Sequence, residues 1–146
     1  MIEPVDPFQG GVFHRLQMSP GTAAVDHFGL TVANAVFFGG DVHENGVGHV
    51  KADYADARSA VIGTEFCGTS ISSRSAANPR TQERLAENPH FVFADSERKG
   101  YGVVDITPEK LETTLRVVDD VTRRETRIDS LAKFNVKAGT PRIERV

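Results

Sequence analysis

At 146 residues and 39% hydrophobic content, the chain suffices for one ordinary domain with its own core, burying around two-thirds of its unfolded surface. Seventeen basic residues against twenty acidic ones, interspersed along the chain, leave a net charge of −3 and no basic stripe of the kind that binds nucleic acid. No apolar run approaches the roughly 18 residues of a membrane span, Met1-Ile2-Glu3-Pro4 lacks the basic start and apolar core of a signal peptide, and a single cysteine excludes an internal disulfide.

Residues 1–31 carry Pro4, Pro7, Gly10, Gly11, Pro20, Gly21 and Gly29, too much punctuation for an ordinary helix, and read as mostly coil. Val32, Ala35, Val36, Phe37 and Phe38 then form a short β-branched and aromatic run bounded by Gly39 and Gly40, predicting a strand buried on both faces. Asp41 and His43 follow at once. If the chain stays extended, residues two apart project to the same side. An oxygen and an imidazole suit iron, manganese or zinc, and calcium where oxygens dominate. The spacing also allows a plain turn, with Asp41 bonding backbone amides and His43 exposed, and both readings stay open.

Residues 46–53 alternate as a strand. His49 either points toward a metal region or is a strand histidine with a satisfied backbone bond, and the second reading is favoured. Residues 53–59 read as a turn and 60–72 as a long strand, where Gly63 and Gly68 mark a bulge or close backbone approach. Glu65 interrupts this apolar pattern. Buried, it would need a partner, a proton or a metal; otherwise it is an outward-facing charge on a half-exposed strand. Cys67 reads as a small buried hydrophobe. Thr69, Ser70, Ser72 and Ser73 could meet a phosphate oxygen but are more usual as turn formers.

Asn78 as cap and Pro79 at the first helical position predict a short surface helix over 80–87, with Leu85 its one large apolar residue. His90 lies between a proline turn and the aromatic strand begun by Phe91, Val92 and Phe93, a place where histidines commonly pack or hydrogen-bond. From Gly100 onward, alternation predicts a hairpin turning at 107–110, then a turn entered by Asp119-Asp120, a last strand over 128–136 and a final turn at 139–141.

The stretch VFFGGDVHENGVGHVKADYADARSAVIGTEFCGTSISS, followed by NPHFVFADSERKGY and LRVVDDVTR, resembles the C-terminal part of the alkaline phosphatase D (PhoD-like) branch of the metallophosphatases. The likeness runs from about residue 32 to residue 134, and its specificity lies in Gly-Asp-x-His, Glu-Phe-x-Gly-Thr-Ser and Asn-Pro-His occurring in that order. The resemblance implies an α+β, β-rich fold: the C-terminal portion of a metallophosphatase-type β-sandwich with short helices and mostly antiparallel strands. On this reading residues 1–31 are an irregular, shortened lead segment and 32–146 the C-terminal part of the family's domain.

The resemblance also implies a phosphoric ester hydrolase, acting on phosphomonoesters or phosphodiesters through a two-metal centre of calcium and iron. Asp41 is implied as a metal ligand, His43 as a metal ligand or catalytic-site donor, and Glu65 and His90 as lining residues. Members of this family are commonly exported. In such enzymes most ligands come from loops of the amino-terminal half, and Asp26-His27 is only a lone pair in an irregular segment. The chain is therefore expected to need a missing amino-terminal half or a second copy to complete the centre. The alternatives are an inactive remnant that binds one metal weakly and a β-rich interaction module. Only residues 26–31 stand where the family carries a helix beside the first strand, which predicts one poorly covered strand face.

Overall fold

The computed structural model describes residues 24–25, 31–32, 34–75 and 77–146. Two short strands, β1 (Ala24–Val25) and β2 (Thr31–Val32), pair antiparallel. The expected coil around them, and Asp26-His27, lie outside the described residues.

A first four-stranded sheet contains β3 (Ala35–Gly39), β4 (Asn45–Lys51), β5 (Val61–Cys67) and β6 (Phe91–Asp95), in the order β3-β5-β4-β6. Only β3 and β5 run parallel; the other pairs are antiparallel. A second sheet is antiparallel throughout and runs β10-β9-β8-β7, from β7 (Lys99–Ile106), β8 (Lys110–Val118), β9 (Ile128–Lys137) and β10 (Ile143–Arg145). The connection from β5 to β6 holds the helix α1 (Asn78–Glu87). The fold is thus β-rich, with two mostly antiparallel sheets and one short helix among the described residues. Among the described residues no helix is long and apolar enough to cross a membrane.

Alternation builds the core. On β8, Leu111, Thr113, Leu115 and Val117 are buried while Glu112, Thr114, Arg116 and Val118 are half-exposed; on β9, Ala132, Phe134 and Val136 point the same way. Val47 and Phe66 of the first sheet join this cluster. The Phe134 ring, wholly buried, lies 6.4 Å from Phe66 and 5.7 Å from Phe93. Each such side chain contributes roughly 1.5–3 kcal/mol by burial. Polar ties join the sheets at the margins: Asn34 Nδ2 donates to the Lys137 carbonyl at 3.0 Å, and His49 Nε2 accepts the Ile143 amide at 3.2 Å. That second bond gives His49 the satisfied backbone partner favoured from sequence, and burial lowers its pKa.

Several expectations need correction. The β3 strand is not buried on both faces: it pairs only with β5 at the edge of the sheet, and Phe38 is 55% exposed although it stacks on Phe66 at 6.1 Å. The β5 strand stops at Cys67 and residues 68–75 leave as a loop. Asn78 does not cap α1. Ala77 holds the cap position without a side-chain bond, and Asn78 Oδ1 accepts the Ser96 amide at 3.3 Å. The chain after the turn at 139–141 adds β10, too short to show a period. Asp119 and Asp120 do make a turn: Asp120 Oδ1 accepts from Thr122 N at 2.8 Å and Thr122 Oγ1 at 2.7 Å, and Asp119 faces Arg127 at 3.7 Å.

Two glycines of β7 give a matched test of the second sheet. A Cβ on Gly100 would overlap the Arg116 carbonyl, whereas one on Gly102 would meet nothing within 4 Å. Gly100→Ala is expected to lower stability by about 1–3 kcal/mol in urea unfolding. Gly102→Ala should change it by no more than about 0.5 kcal/mol.

Candidate functional site

The parallel pairing of β3 with β5 brings two carboxyl ends to one edge of the sheet, the edge at which open sheets place ligands. Only a glycine permits that pairing at its first pair, since a Cβ on Gly63 would lie 2.8 Å from the Ala35 carbonyl oxygen. Because β5 sits between β3 and β4, the link over residues 40–44 must cross the end of β5. It does so in a tight turn, with the Val42 amide donating to the Gly40 carbonyl at 2.9 Å.

Here the extended geometry assumed from sequence fails. Asp41 has φ +71° and His43 φ +58°, both left-handed, so the two-residue alternation does not apply. Such backbone costs roughly 1–3 kcal/mol per residue unless the surroundings hold it, although Asp and His tolerate it better than most. The surroundings do hold His43. Its carbonyl oxygen accepts from Thr69 Oγ1 at 2.9 Å and from Ser75 Oγ, and Lys99 Nζ reaches it at 3.5 Å while also donating to Ser75 Oγ. Its ring Nδ1 lies 2.8 Å from the Arg74 carbonyl oxygen. A carbonyl only accepts, so Nδ1 carries a proton, and the lone pair of the uncharged form lies on Nε2. Asp41 is exposed in the same loop.

Glu65 lies on the face of β5 that also carries Gly63 and Cys67, opposite Phe37 on β3 and Gly48 on β4. It is half-buried and no hydrogen bond or ion pair reaches it among the described residues, so burial pushes its carboxyl up to about 7. A Cβ on Gly39 would lie 3.4 Å from Glu65 Oε1. Cys67, 2% exposed with Sγ 3.7 Å from the Gly40 carbonyl oxygen, has its thiol pushed up to about 12, first by burial and then by Glu65, Glu44 and Asp41. The Glu65 charge also reaches Tyr54, whose hydroxyl is raised chiefly by burial.

His90 is brought elsewhere. It stands at the start of β6, where its carbonyl accepts the His49 amide at 2.8 Å, while the site loop joins β4 beside the other end of β6, Asn45 facing Asp95. Its ring packs edge-on to Tyr54 at 4.8 Å and against Phe91 at 4.7 Å, and burial lowers its pKa.

Behind the loop, α1 is stapled to β6 and its flank by Gln82 Nε2 donating to the Ala94 carbonyl at 2.9 Å and Thr81 Oγ1 to Ser96 Oγ at 2.9 Å. Arg84 of α1 pairs with the buried Glu44. A small cleft under the helix is lined by Val42, Gly46, Cys67, Thr81, Arg84 and Leu85. Asn45 is wholly buried, and neither of its amide atoms has a partner among the described residues.

Asp41 and His43 thus share one loop, with Glu65 on the sheet behind it and His90 at the far end. The donor chemistry of the first two suits a divalent or trivalent metal, because His43 has its second ring nitrogen held by a carbonyl as metal-binding histidines do. The donor number falls short: no group of three or more His, Cys, Asp or Glu that could hold an ion is found among the described residues. Arg74, Ser75 and Lys99 were not singled out by sequence. No local pattern marks them, since they act on His43 from 31 to 56 positions away. Thr69, which the sequence allows as a phosphate partner but favours as a turn former, holds the loop through the His43 carbonyl.

The PhoD-like phosphatase family matches residues 24–115. Alkaline phosphatase D of Bacillus subtilis (strain 168) is 36% identical over 104 residues, covering 69% of this chain and 18% of that protein. A solved structure described as "Structure of PhoD" superposes with a TM-score of 0.67 at 30% identity, over 76% of this chain and 22% of that one. The chain therefore spans about a fifth of the length of these relatives.

Glu65 sets a pH dependence. Its carboxyl rises from 4.5 to about 7 on folding, so the folded state holds the proton more tightly than the unfolded state. The stability this gives is fully present below about pH 4.5 and is lost as pH rises through about 7. Partial exposure reduces the effect to on the order of 1–2 kcal/mol. Urea unfolding at pH 5 and pH 8 is expected to show that loss in the wild type and its absence in Glu65→Gln.

Proposed function

The chain belongs to the PhoD-like phosphatase family, and we propose that it contributes the Gly-Asp-x-His limb of a metal-dependent phosphoric ester hydrolase, carried on the C-terminal part of a metallophosphatase-type β-sandwich. One observation carries the reading: the His43 ring is anchored through Nδ1 to the Arg74 carbonyl, which leaves Nε2 ready to donate. Asp41 and His43 are the proposed metal ligands, and calcium and iron are the ions the family suggests. A bound metal supplies Lewis acidity toward the phosphoryl oxygen and hydroxide at neutral pH.

The chain's own residues do the rest. Asp41 brings a carboxylate to a solvent-facing loop, and His43 an imidazole whose Nδ1 faces the Arg74 carbonyl. Glu65 lines the sheet face behind the loop, half-buried. His90 closes the far end of that face with Tyr54. A phosphate mono- or diester is the substrate class. The remaining ligands come from an amino-terminal half of the family fold or from a second copy of the chain. A second reading, a catalytically silent chain that binds one metal weakly, is favoured by the two-donor count among the described residues.

Hydrolysis of p-nitrophenyl phosphate and bis-p-nitrophenyl phosphate by the purified chain, with calcium, iron, manganese or zinc and with bound metal quantified, tests the reading. The expected result is no turnover by the chain alone, at most one ion bound, and loss of that ion in both Asp41→Ala and His43→Gln. Turnover that disappears in Asp41→Ala would show that a full centre assembles on this chain and would overturn the shortage of ligands. Metal retained equally by both variants would remove Asp41 and His43 as ligands.

A further inference from the structure

His43 is held from the other sheet. The loop over residues 68–75 runs between His43 and the start of β7, and it is fixed on both sides. Toward β7, the Gly100 amide donates to the Ser70 carbonyl at 3.2 Å, and Lys99 Nζ donates to Ser75 Oγ. Within the loop, Ser70 Oγ donates to the Ser73 carbonyl at 2.8 Å. Toward the site, Thr69 Oγ1, Ser75 Oγ and Lys99 Nζ converge on the one carbonyl oxygen of His43, and the Arg74 carbonyl takes the ring.

A carbonyl oxygen has two lone pairs, so three donors around it saturate it and leave the peptide little freedom to rotate. That saturation matters because His43 sits in left-handed backbone, a conformation that persists only when its neighbours over-determine it. If the His43 carbonyl swings away, the ring loses its register with Arg74 and its Nδ1 proton loses its acceptor. We propose that Lys99 of the second sheet, with Ser75 and Thr69 of the loop, are positioning residues that fix the tautomer of the His43 imidazole. Lys99 is the member that crosses between the sheets. Gly100 next to it packs too close to the Arg116 carbonyl for any side chain, and both residues pair with β8, so the Lys99 side chain starts from a paired strand. The inference deepens the metal-limb reading, and its first measurement needs no metal.

The test is nitrogen NMR of histidine-labelled, metal-free chain at about pH 8.5, well above the usual imidazole range, with the His43 signals assigned through His43→Gln. The wild type is expected to show the Nδ1-protonated tautomer. Ser75→Ala and Lys99→Met should each shift the population several-fold toward the Nε2-protonated form, while the amide signals of β8 and β9 stay in place. Ser75→Thr, which keeps the hydroxyl, should restore the wild-type tautomer. Zinc affinity, measured with zinc alone, should fall about 10–100-fold in both disruptive variants.

An unchanged tautomer in both variants, or an Nε2-protonated wild type, overturns the inference. Should Lys99→Met fail to fold, Ser75→Ala decides by itself, since its loop lies outside the core. A wild-type chain without zinc affinity would remove the metal reading and leave the tautomer result standing, so the two failures are separable.

Discussion

The contact that the rest of this protein depends on is the one Phe134 makes across the gap between the sheets. Its ring is fully buried and meets Phe66 of β5 and Phe93 of β6 at once. The first sheet has short strands, an exposed edge at Phe38 and several glycines where side chains would otherwise pack. It lacks the means to bury itself. The second sheet, with strands of eight to ten residues over β7, β8 and β9, supplies the apolar surface that holds the first in place. Because Phe66 is next to Cys67, the last residue of β5, this packing fixes the strand end over which the Asp41 and His43 loop must cross.

That dependence explains why the site tolerates unfavourable backbone. Left-handed φ at two non-glycine residues is a local cost that local interactions rarely offset. Here the offset comes from donors on another segment, themselves anchored to the second sheet. Local strain and long-range packing are therefore parts of one arrangement. The Arg84 to Glu44 pair adds a similar tie from α1, and being mostly buried it serves geometry more than net stability.

How much of this was legible in the sequence divides by range. The β7–β8 hairpin was readable because Leu111, Thr113, Leu115 and Val117 alternate strictly with half-exposed neighbours, a signal that needs no partner to interpret. The family resemblance was legible in the order of three short motifs, and Asp41 with His43 in the residue types of one of them. Their geometry was not, since the sign of φ at His43 is settled by Thr69, Ser75 and Lys99, which arrive 26 to 56 residues later. Phe38 misled for a related reason: a run of apolar residues records composition, whereas position at a sheet edge is decided by which strand pairs next. Asn78 carried a correct signal for a helix start, yet the fold spent its side chain on Ser96 instead.

Cys67 has a consequence of its own. Its sulfur lies under the Gly40 carbonyl, at the start of the loop that carries Asp41 and His43, and its thiol is held almost wholly un-ionised. A thiol in that state does not react with alkylating reagents. Reaction requires an opening, of that loop or of α1 over the cleft that Cys67 lines, that brings the sulfur to water, so the alkylation rate under native conditions counts such openings rather than intrinsic reactivity. The protein thus carries a built-in clock beside its candidate site. A metal ion or docking segment that holds the loop in place removes one of those openings, and its effect on the clock can be read without any substrate at all.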